Sequence, residues 1–238
     1  MGSGDLDRVI RGEVEPRLRR AIDANVGWHE DLFALHGVGS TLKDGVWSAL
    51  GPPPPLHSDA IAVEPSVTLD QVVARLDGRP HGAFKDSFAA IDATDAGMEL
   101  LFAATWIHRN PDPPWDRPAP NSWTVVRTSK ELAEWTSHHD TEAVLLPGLL
   151  ERGHFSILAR REQGAIVAGA VARLGSRVVD VSNVYSVPGH AVDWAELATA
   201  VGERFPGRPL VGYEHGDNLE AAMAGGFESV GDLRVWVR

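Results

Sequence analysis

The last thirty residues, Pro209–Arg238, constrain the fold more than any other part of the chain. They read PLVGYEHGDNLEAAMAGGFESVGDLRVWVR. The apolar run that ends at Tyr213 predicts a buried strand, and Asn218–Ala224 has the spacing of a short helix. The glycine pair before Phe227 stops this helix, because glycine adopts the backbone angles that end helices. Ser229–Val237 predicts a final strand, so the segment has the strand, helix, turn and strand order of a mixed α/β sheet.

The region before this segment continues the alternation of strands and helices. Ala165–Leu174 and Val178–Val187 predict two long strands joined by the tight turn Gly175-Ser176-Arg177. Asp193–Phe205 has helical spacing. The other predicted elements are a strand over Trp123–Arg127, a helix over Ser129–Thr136 with Ser129 as its N-cap, and a strand over Phe155–Arg160. This half of the chain therefore predicts the order β, α, β, β, β, α, β, α, β.

The first part of the chain predicts a second mixed unit. Apolar residues recur at helical spacing from Leu6 to Ile22, we expect Pro16 to break this run, and Trp28–Leu35 predicts a separate helix. The other predicted elements are strands over Val46–Leu50, Asp59–Glu64, Ala83–Ala90 and Glu99–His108, and a helix over Thr68–Leu76 with Thr68 as its N-cap. Both parts of the chain thus predict a mixed α+β fold.

A proline-rich segment separates the two parts. Arg109–Asn121 carries five prolines in thirteen residues, a density that disfavours both a helix and a central strand. We therefore predict a linker at residues 113–121 between two units, residues 1–112 and residues 122–238.

The two units also end alike. Gly97-Met98-Glu99 leads to a strand that closes on Trp106–Arg109, and Gly226-Phe227-Glu228 leads to one that closes on Trp236–Arg238. The match needs one gap, and a match of this size also arises by chance. Duplication and coincidence therefore both remain open interpretations.

Composition limits the partners of the protein. The net charge of −11 argues against binding to nucleic acid, which uses concentrated Lys and Arg. No apolar run approaches the ~20 residues that span a bilayer, and the start lacks the apolar core of a signal peptide. The absence of cysteine excludes disulfides and thiolate chemistry. We expect a cytoplasmic protein without a nucleic-acid or membrane partner.

The second half resembles the GCN5-related N-acetyltransferase superfamily over Trp123–Arg238. Residues in that superfamily's order are Asp217-Asn218, Ala221-Ala222, Gly226-Phe227, Val230-Gly231 and Leu233-Arg234-Val235. The resemblance implies an acyl-CoA N-acyltransferase fold, built from two tandem halves of which the N-terminal one is degenerate. It also implies transfer of an acetyl or other acyl group from acyl-CoA to a primary amine of a small molecule.

The resemblance locates a cofactor site. In the superfamily, the strand that corresponds to Asp180–Val187 splays away from the one that corresponds to Pro209–Tyr213, and the pantetheine lies in the wedge. Unpaired backbone groups there are natural partners for its amides. The implied cofactor is acetyl-CoA or CoA, and the residues implied to bind it are Asn183, Val184, Tyr185, Val187, Gly189, His190, Ala191 and Asn218.

The chain departs from the superfamily at the phosphate loop and at the general acid. Pro188–Trp194 offers only Gly189 as a flexible residue, and no Arg or Lys lies near it in the sequence. Asp193 with Glu196 fits a capping pattern that would occupy the helix amides. Ala221–Ala224 holds no tyrosine that could protonate a thiolate. The alternative is therefore a non-catalytic ligand-binding module that kept the fold and lost the phosphate loop.

Candidate catalytic residues follow the strand that ends at Tyr213. Glu214 and His215 lie at its carboxyl end, where open α/β sheets bind ligands, and either could deprotonate an amine. The alternative interpretation is a solvated loop. Tyr185 and Tyr213 lie on the two strands that flank the wedge, and Tyr185 is the candidate at the thioester; the alternative is that both rings pack over the sheet.

We expect no metal. His138-His139-Asp140 is the densest group of possible ligands, but adjacent side chains on a helix point about 100° apart and do not converge on one ion.

Overall fold

The computed structural model describes residues 14–111 and 122–238, and it places their strands in one sheet. The predicted linker and the start of the helical run at Leu6 lie outside the described residues. The strands are β1 Ser40–Lys43, β2 Val46–Ala49, β3 Ala60–Ala62, β4 Ala83–Asp86, β5 Glu99–Arg109, β6 Trp123–Val125, β7 Phe155–Glu162, β8 Ala165–Leu174, β9 Val179–Ser186, β10 Leu210–Glu214 and β11 Glu228–Val237. The α-helices are α1 Pro16–Leu35, α2 Leu69–Arg75, α3 Ser129–Ser137, α4 Trp194–Arg204 and α5 Gly216–Ala224.

Strands from the two parts of the chain interleave at the centre of the sheet. The strand order is β1-β2-β3-β4-β11-β5-β10-β9-β8-β7-β6. The last strand, β11, lies between β4 and β5, while β5 lies between β11 and β10 and runs antiparallel to both. The mixed α+β fold is confirmed. The division into residues 1–112 and 122–238 stays a prediction, since both segments contribute to one continuous sheet.

Local sequence explains where the helices begin. α1 begins at Pro16, because proline in the first turn of a helix needs no hydrogen-bond donor, and Glu15 accepts the amide of Leu18 at 2.8 Å. The helix continues to Leu35, so the separate helix predicted over Trp28–Leu35 is wrong. The predicted Thr68 cap of α2 is confirmed, with Gln71 completing a capping box. None of the helices in the described part of the chain is long and apolar enough to cross a membrane.

Two sequence predictions about helix starts are wrong by one or two residues. Thr128, not Ser129, caps α3 and accepts the amide of Glu131. α5 begins at Gly216, two residues before the predicted Asn218. The strand β1 was not predicted, since its four residues are mostly exposed and lack an apolar pattern.

Helices cover both faces of the sheet and enclose separate apolar cores. On one face, α1 packs Ile22 and Leu32 against Trp106 of β5. On the other face, α4 packs Leu197 against Val181 of β9. Neighbouring residues of one strand point to opposite faces, so each central strand serves both cores. The centre of the described sheet is therefore buried on both faces. The strands that border a cavity there are held in place by packing on each face.

Gly212 on β10 permits the close approach of β9. A Cβ atom at this position would lie 2.5 Å from the carbonyl oxygen of Val181, which is backbone and has little freedom to move. We predict that Gly212→Ala lowers the free energy of unfolding by about 1–3 kcal/mol, measured by chemical denaturation. The control is Gly202→Ala in α4, where a Cβ meets nothing within 4 Å. That change should raise stability by up to about 1 kcal/mol. Equal effects of the two changes would contradict the packing argument.

Candidate functional site

The parallel strands β9 and β10 separate soon after they meet. Their ladder holds only two pairs, Leu210 with Val179 and Val211 with Asp180. Beyond that point β10 continues to pair with β5 as far as Glu214. The splayed arrangement expected from the resemblance is therefore present, and the edge of β9 that faces β10 is unpaired after Asp180.

A β-bulge turns β9 away from its neighbour. Asn183 has a φ of +51°, and the pairing with β8 shifts register at this residue. An extra residue in one strand bends that strand and changes the direction of the side chains that follow. Asn183 and Val184 consequently line the opening between β9 and β10. The side-chain amide of Asn218 donates to the backbone carbonyl of Val184 at 3.4 Å.

A cavity of about 710 Å³ lies on the α1 face of this opening. Its lining combines charged, aromatic and apolar side chains. The polar lining includes Asn25, His29, His57, Lys85, Asp180, Glu214 and His215, and the apolar lining includes Leu101, Phe102, Val235 and Val237. This volume suits a small organic molecule.

A groove of about 620 Å³ lies on the other side of the opening. It is formed by the loop between β9 and α4, which contributes His190 and Ala191, and by the start of α5. Glu214, His215 and Asn218 line both the groove and the cavity. The opening between the strands therefore joins a space on one face of the sheet to a space on the other.

Lys85 is a functional residue that the sequence analysis missed. Its side chain is 3% exposed, its Nζ donates to Oδ1 of Asn25 at 2.8 Å, and Nζ lies 4.3 Å from the ring centre of Tyr213. Burial lowers the pKa of Lys85 to about 7, because the ammonium loses hydration that these partners only partly replace. A lysine within the predicted strand Ala83–Ala90 was the available signal in the sequence.

Two carboxyl groups also line the cavity. Asp180 is 2% exposed, and burial raises its pKa to about 6. Burial raises the pKa of Glu214 to about 8, an effect that the amide of Asn218 beside it partly offsets. Desolvation disfavours the charged form of each acid. The two groups can therefore exchange protons close to neutral pH, as a general acid or base must.

Two histidines of the cavity wall, the buried His29 and the half-buried His57, are held neutral. Nε2 of His57 accepts from the indole N–H of Trp28 at 3.2 Å, so the proton of His57 is on Nδ1, which donates to the carbonyl of Pro55. Burial lowers the pKa of His57 to about 4. Burial and the charge of Lys85 also lower the pKa of His29 well below its usual range. These rings shape the cavity without adding charge at neutral pH.

Tyr185 lies in the core and lines neither space. Its hydroxyl donates to the carbonyl of Trp135 at 3.0 Å, and its ring stacks on His139 with centroids 4.9 Å apart. The bulge at Asn183 directs it towards α3 rather than into the opening. The packing interpretation of this tyrosine therefore fits the structure, since its side chain lines neither the cavity nor the groove. Tyr213, the other tyrosine, does line the cavity.

The loop before α4 is a closed turn. The amide of His190 donates to the carbonyl of Val187 at 3.1 Å, and the amide of Val187 donates to Val167 of β8. Asp193 accepts the amides of the first turn of α4 at 2.9 and 3.0 Å, as its predicted role as a cap requires. Among the first amides of α4, those two are thus occupied, and Gly189 has a positive φ at the exposed tip of the turn.

One basic residue does reach this loop, from a distant strand. Nη1 of Arg160 on β7 donates to the carbonyl of Ala191 at 3.3 Å. The short sequence around Gly189 could not show this, because Arg160 arrives through the order of the strands in the sheet.

Metal ligands do not converge in the described part of the chain. Within residues 14–111 and 122–238, no group of three or more His, Asp or Glu side chains could hold an ion.

Solved structures with the same architecture identify the fold. The chain is similar to a GCN5-related N-acetyltransferase from Kribbella flavida, with a TM-score of 0.62, 14% identity and coverage of 92% of this chain and 95% of that one. A conserved protein of unknown function from Staphylococcus epidermidis gives a TM-score of 0.60 and 12% identity over 84% of this chain and 94% of that one. A GCN5-related N-acetyltransferase-like protein from Streptococcus suis gives a TM-score of 0.51 and 13% identity over 93% of this chain and 98% of that one.

At these identities the likeness shows the fold. The chain has the GCN5-related N-acetyltransferase fold, as the resemblance of its last segment predicts. No protein-family model and no curated protein matches the sequence.

The raised pKa of Glu214 makes a prediction about stability. This carboxyl is harder to ionise in the folded protein than in the unfolded chain. The free energy of unfolding therefore falls as the pH rises from about 4.5 towards 8. Glu214→Gln removes this fall. We predict that the variant gains stability relative to the unaltered protein by on the order of 1 kcal/mol between pH 5 and pH 8. Denaturant titrations at both pH values measure this gain, and the exposed Glu220 of α5, changed to Gln, is the control that should show none.

Proposed function

We propose that this protein transfers an acetyl or other acyl group from acyl-CoA to a primary amine of a small molecule. The observation that carries the proposal is the opening between β9 and β10, which joins the groove and the cavity. A long thioester can enter from the groove, lie in the opening and present its acyl carbon to an amine in the cavity. Two substrates that approach from opposite faces of a sheet can thus meet at one point.

The backbone of β9 supplies the contacts for the pantetheine. After Asp180 its outer edge has no partner strand, and unpaired backbone groups at a buried edge favour an incoming chain with amide groups. Asn183 and Val184 lie at this edge, with Asn218 opposite. His190 and Ala191 border the groove where the nucleotide end would lie, and Gly189 precedes them at the tip of the turn. Val187 is an unsuitable contact, since its amide is bonded to β8.

The reaction is a direct transfer. The amine nitrogen attacks the thioester carbonyl, a C–N bond forms, the C–S bond breaks and the CoA thiolate leaves. A base must take one proton from the amine. Glu214 is the first candidate because it lines both spaces and its pKa of about 8 lies near working pH. His215 is the second candidate; it is exposed, and its ring stacks on Phe102 with centroids 5.4 Å apart.

One observation favours the alternative of a binding module without catalysis. Asp193 occupies amides at the start of α4 that could otherwise hold a diphosphate, and it places a negative charge there. Calorimetric titration with acetyl-CoA, followed by mass spectrometry of a panel of primary amines, separates the two functions. The acyltransferase requires both binding and an N-acetyl product. Binding of a small amine without any response to millimolar acetyl-CoA would support the module.

Removing the negative charge at the start of α4 should strengthen acyl-CoA binding. Asp193→Asn keeps a good N-cap but removes the charge, and a charge at a helix terminus contributes about 0.3–1 kcal/mol. We predict a roughly 2- to 5-fold lower Kd for acetyl-CoA by calorimetry. The control is Glu203→Gln near the other end of the same helix. An unchanged Kd for Asp193→Asn would show that the diphosphate does not lie at this loop.

The pH dependence of turnover identifies the base. A base acts only when it is deprotonated, so a pKa of about 8 predicts that kcat/KM rises with pH through that value. Glu214→Gln should abolish this rise and lower kcat/KM by about 10²–10⁴-fold, whereas Glu220→Gln should leave the profile unchanged. A rise that persists in Glu214→Gln and disappears in His215→Gln would assign the base to His215 instead.

A further inference from the structure

Two opposite charges line the cavity without pairing with each other. Lys85 of β4 and Asp180 of β9 are each almost fully buried. Nζ of Lys85 has one hydrogen bond, to Asn25, and Oδ2 of Asp180 has no partner. The structure forms no ion pair between them, although the charges of Arg173 and, to a lesser degree, Lys85 lower the pKa of Asp180, and the charge of Asp180 raises that of Lys85.

This arrangement is unfavourable for folding alone. A buried charge is costly unless another charge or several hydrogen bonds compensate it. Direct contact between Lys85 and Asp180 would satisfy both, yet β4 and β9 hold them apart on the wall of one cavity. Charged groups that are left unsatisfied in a cleft are characteristic of ligand sites. A ligand that spans the gap must offer a negative end to Lys85 and a positive end to Asp180.

The remaining lining restricts the ligand further. Lys85 is the one Lys or Arg among the residues that line the cavity in the described structure. The nearby histidines, buried His29 and half-buried His57, have lowered pKa values and are neutral, so they do not supply a second cationic position. Leu101, Phe102 and Val235 form an apolar part of the wall. A simple apolar amine would leave Lys85 unpaired, and a diamine would bring a second ammonium towards it.

We propose that the amine acceptor is an amino acid with an apolar side chain. Its carboxylate binds Lys85, its ammonium binds Asp180, and its side chain packs on Leu101, Phe102 and Val235. Formation of the product, an N-acyl amino acid, rests on the proposed acyl transfer. The ammonium first gives one proton to Glu214, the free amine attacks the thioester carbonyl, the C–S bond breaks, and the second proton lost from nitrogen goes to the departing CoA thiolate. Binding of the amino acid itself does not require acyl-CoA.

Three related molecules test the proposal on the unaltered, full-length protein. Phenylalanine carries both charges, phenethylamine lacks the carboxylate and 3-phenylpropanoate lacks the amine. We expect calorimetry to show phenylalanine binding at least 10-fold more tightly than either of the others, with leucine and methionine binding in the same range as phenylalanine. Equal affinity for phenylalanine and phenethylamine, or no binding of any of the three amino acids, would overturn the proposal.

Variants assign each end of the ligand. Lys85→Met should weaken the binding of phenylalanine at least 10-fold and leave the affinity for phenethylamine unchanged. Asp180→Asn should weaken the binding of phenylalanine and leave the affinity for 3-phenylpropanoate unchanged. Lys130→Met, at an exposed lysine of α3, is the matched control. Lys85→Arg keeps the charge and should retain preference for phenylalanine over phenethylamine. If a variant does not fold, the comparison of the three molecules on the unaltered protein still decides the question.

Failure of the inference and failure of the proposed function give different results. If phenylalanine and phenethylamine are acetylated with the same kcat/KM, the acyl transfer stands and the amino-acid proposal falls. If phenylalanine binds through Lys85 and no acetyl-CoA binds, the ligand class stands and the acyl transfer falls.

Discussion

The antiparallel pairing of β5 with β10 is the interaction on which the site depends. β5 pairs with β10 over its whole length, Leu210–Glu214, while β9 pairs with it only at the first two residues. The hydrogen bonds to β5 hold β10 in the sheet, so β9 can turn away without releasing it. A strand from the first part of the chain thereby keeps open a cleft whose two walls, β9 and β10, both belong to the second part.

The interleaving of strands from the two parts of the chain also assembles the cavity. β11, the last strand of the chain, lies beside β4 and pairs Val235 with Lys85. This position places Lys85 on the wall opposite Asp180, which comes from the second part of the chain. Each side of the central β5 and β11 pair also carries one parallel pair of strands, β3 with β4 and β9 with β10. We propose that this correspondence reflects two tandem halves that exchanged their final strands, of which only the second has an open wedge.

The candidate site combines a well-formed cavity with a weakly equipped cofactor groove. Lys85, Asp180 and Glu214 are held in positions that shift their pKa values towards neutrality, whereas the loop at Gly189 is closed and Asp193 occupies helix amides. The acceptor side therefore carries the stronger chemical signature. If acyl-CoA binds, the backbone edge of β9 must supply a large share of its contacts.

The sequence by itself determined the local elements, because turns, caps and apolar spacing act over a few residues. The hairpin of the strands Ala165–Leu174 and Val178–Val187, the Thr68 cap and the elements of Pro209–Arg238 could all be predicted, and they led to the fold and to Glu214 and Asn218. Only the tertiary structure decided the position of β11 between β4 and β5, the placement of Lys85 and Asp180 on one cavity and the burial of Tyr185. Backbone hydrogen bonds between strands carry no side-chain label, so residues as distant as Thr105 and Glu214 pair without a local signal.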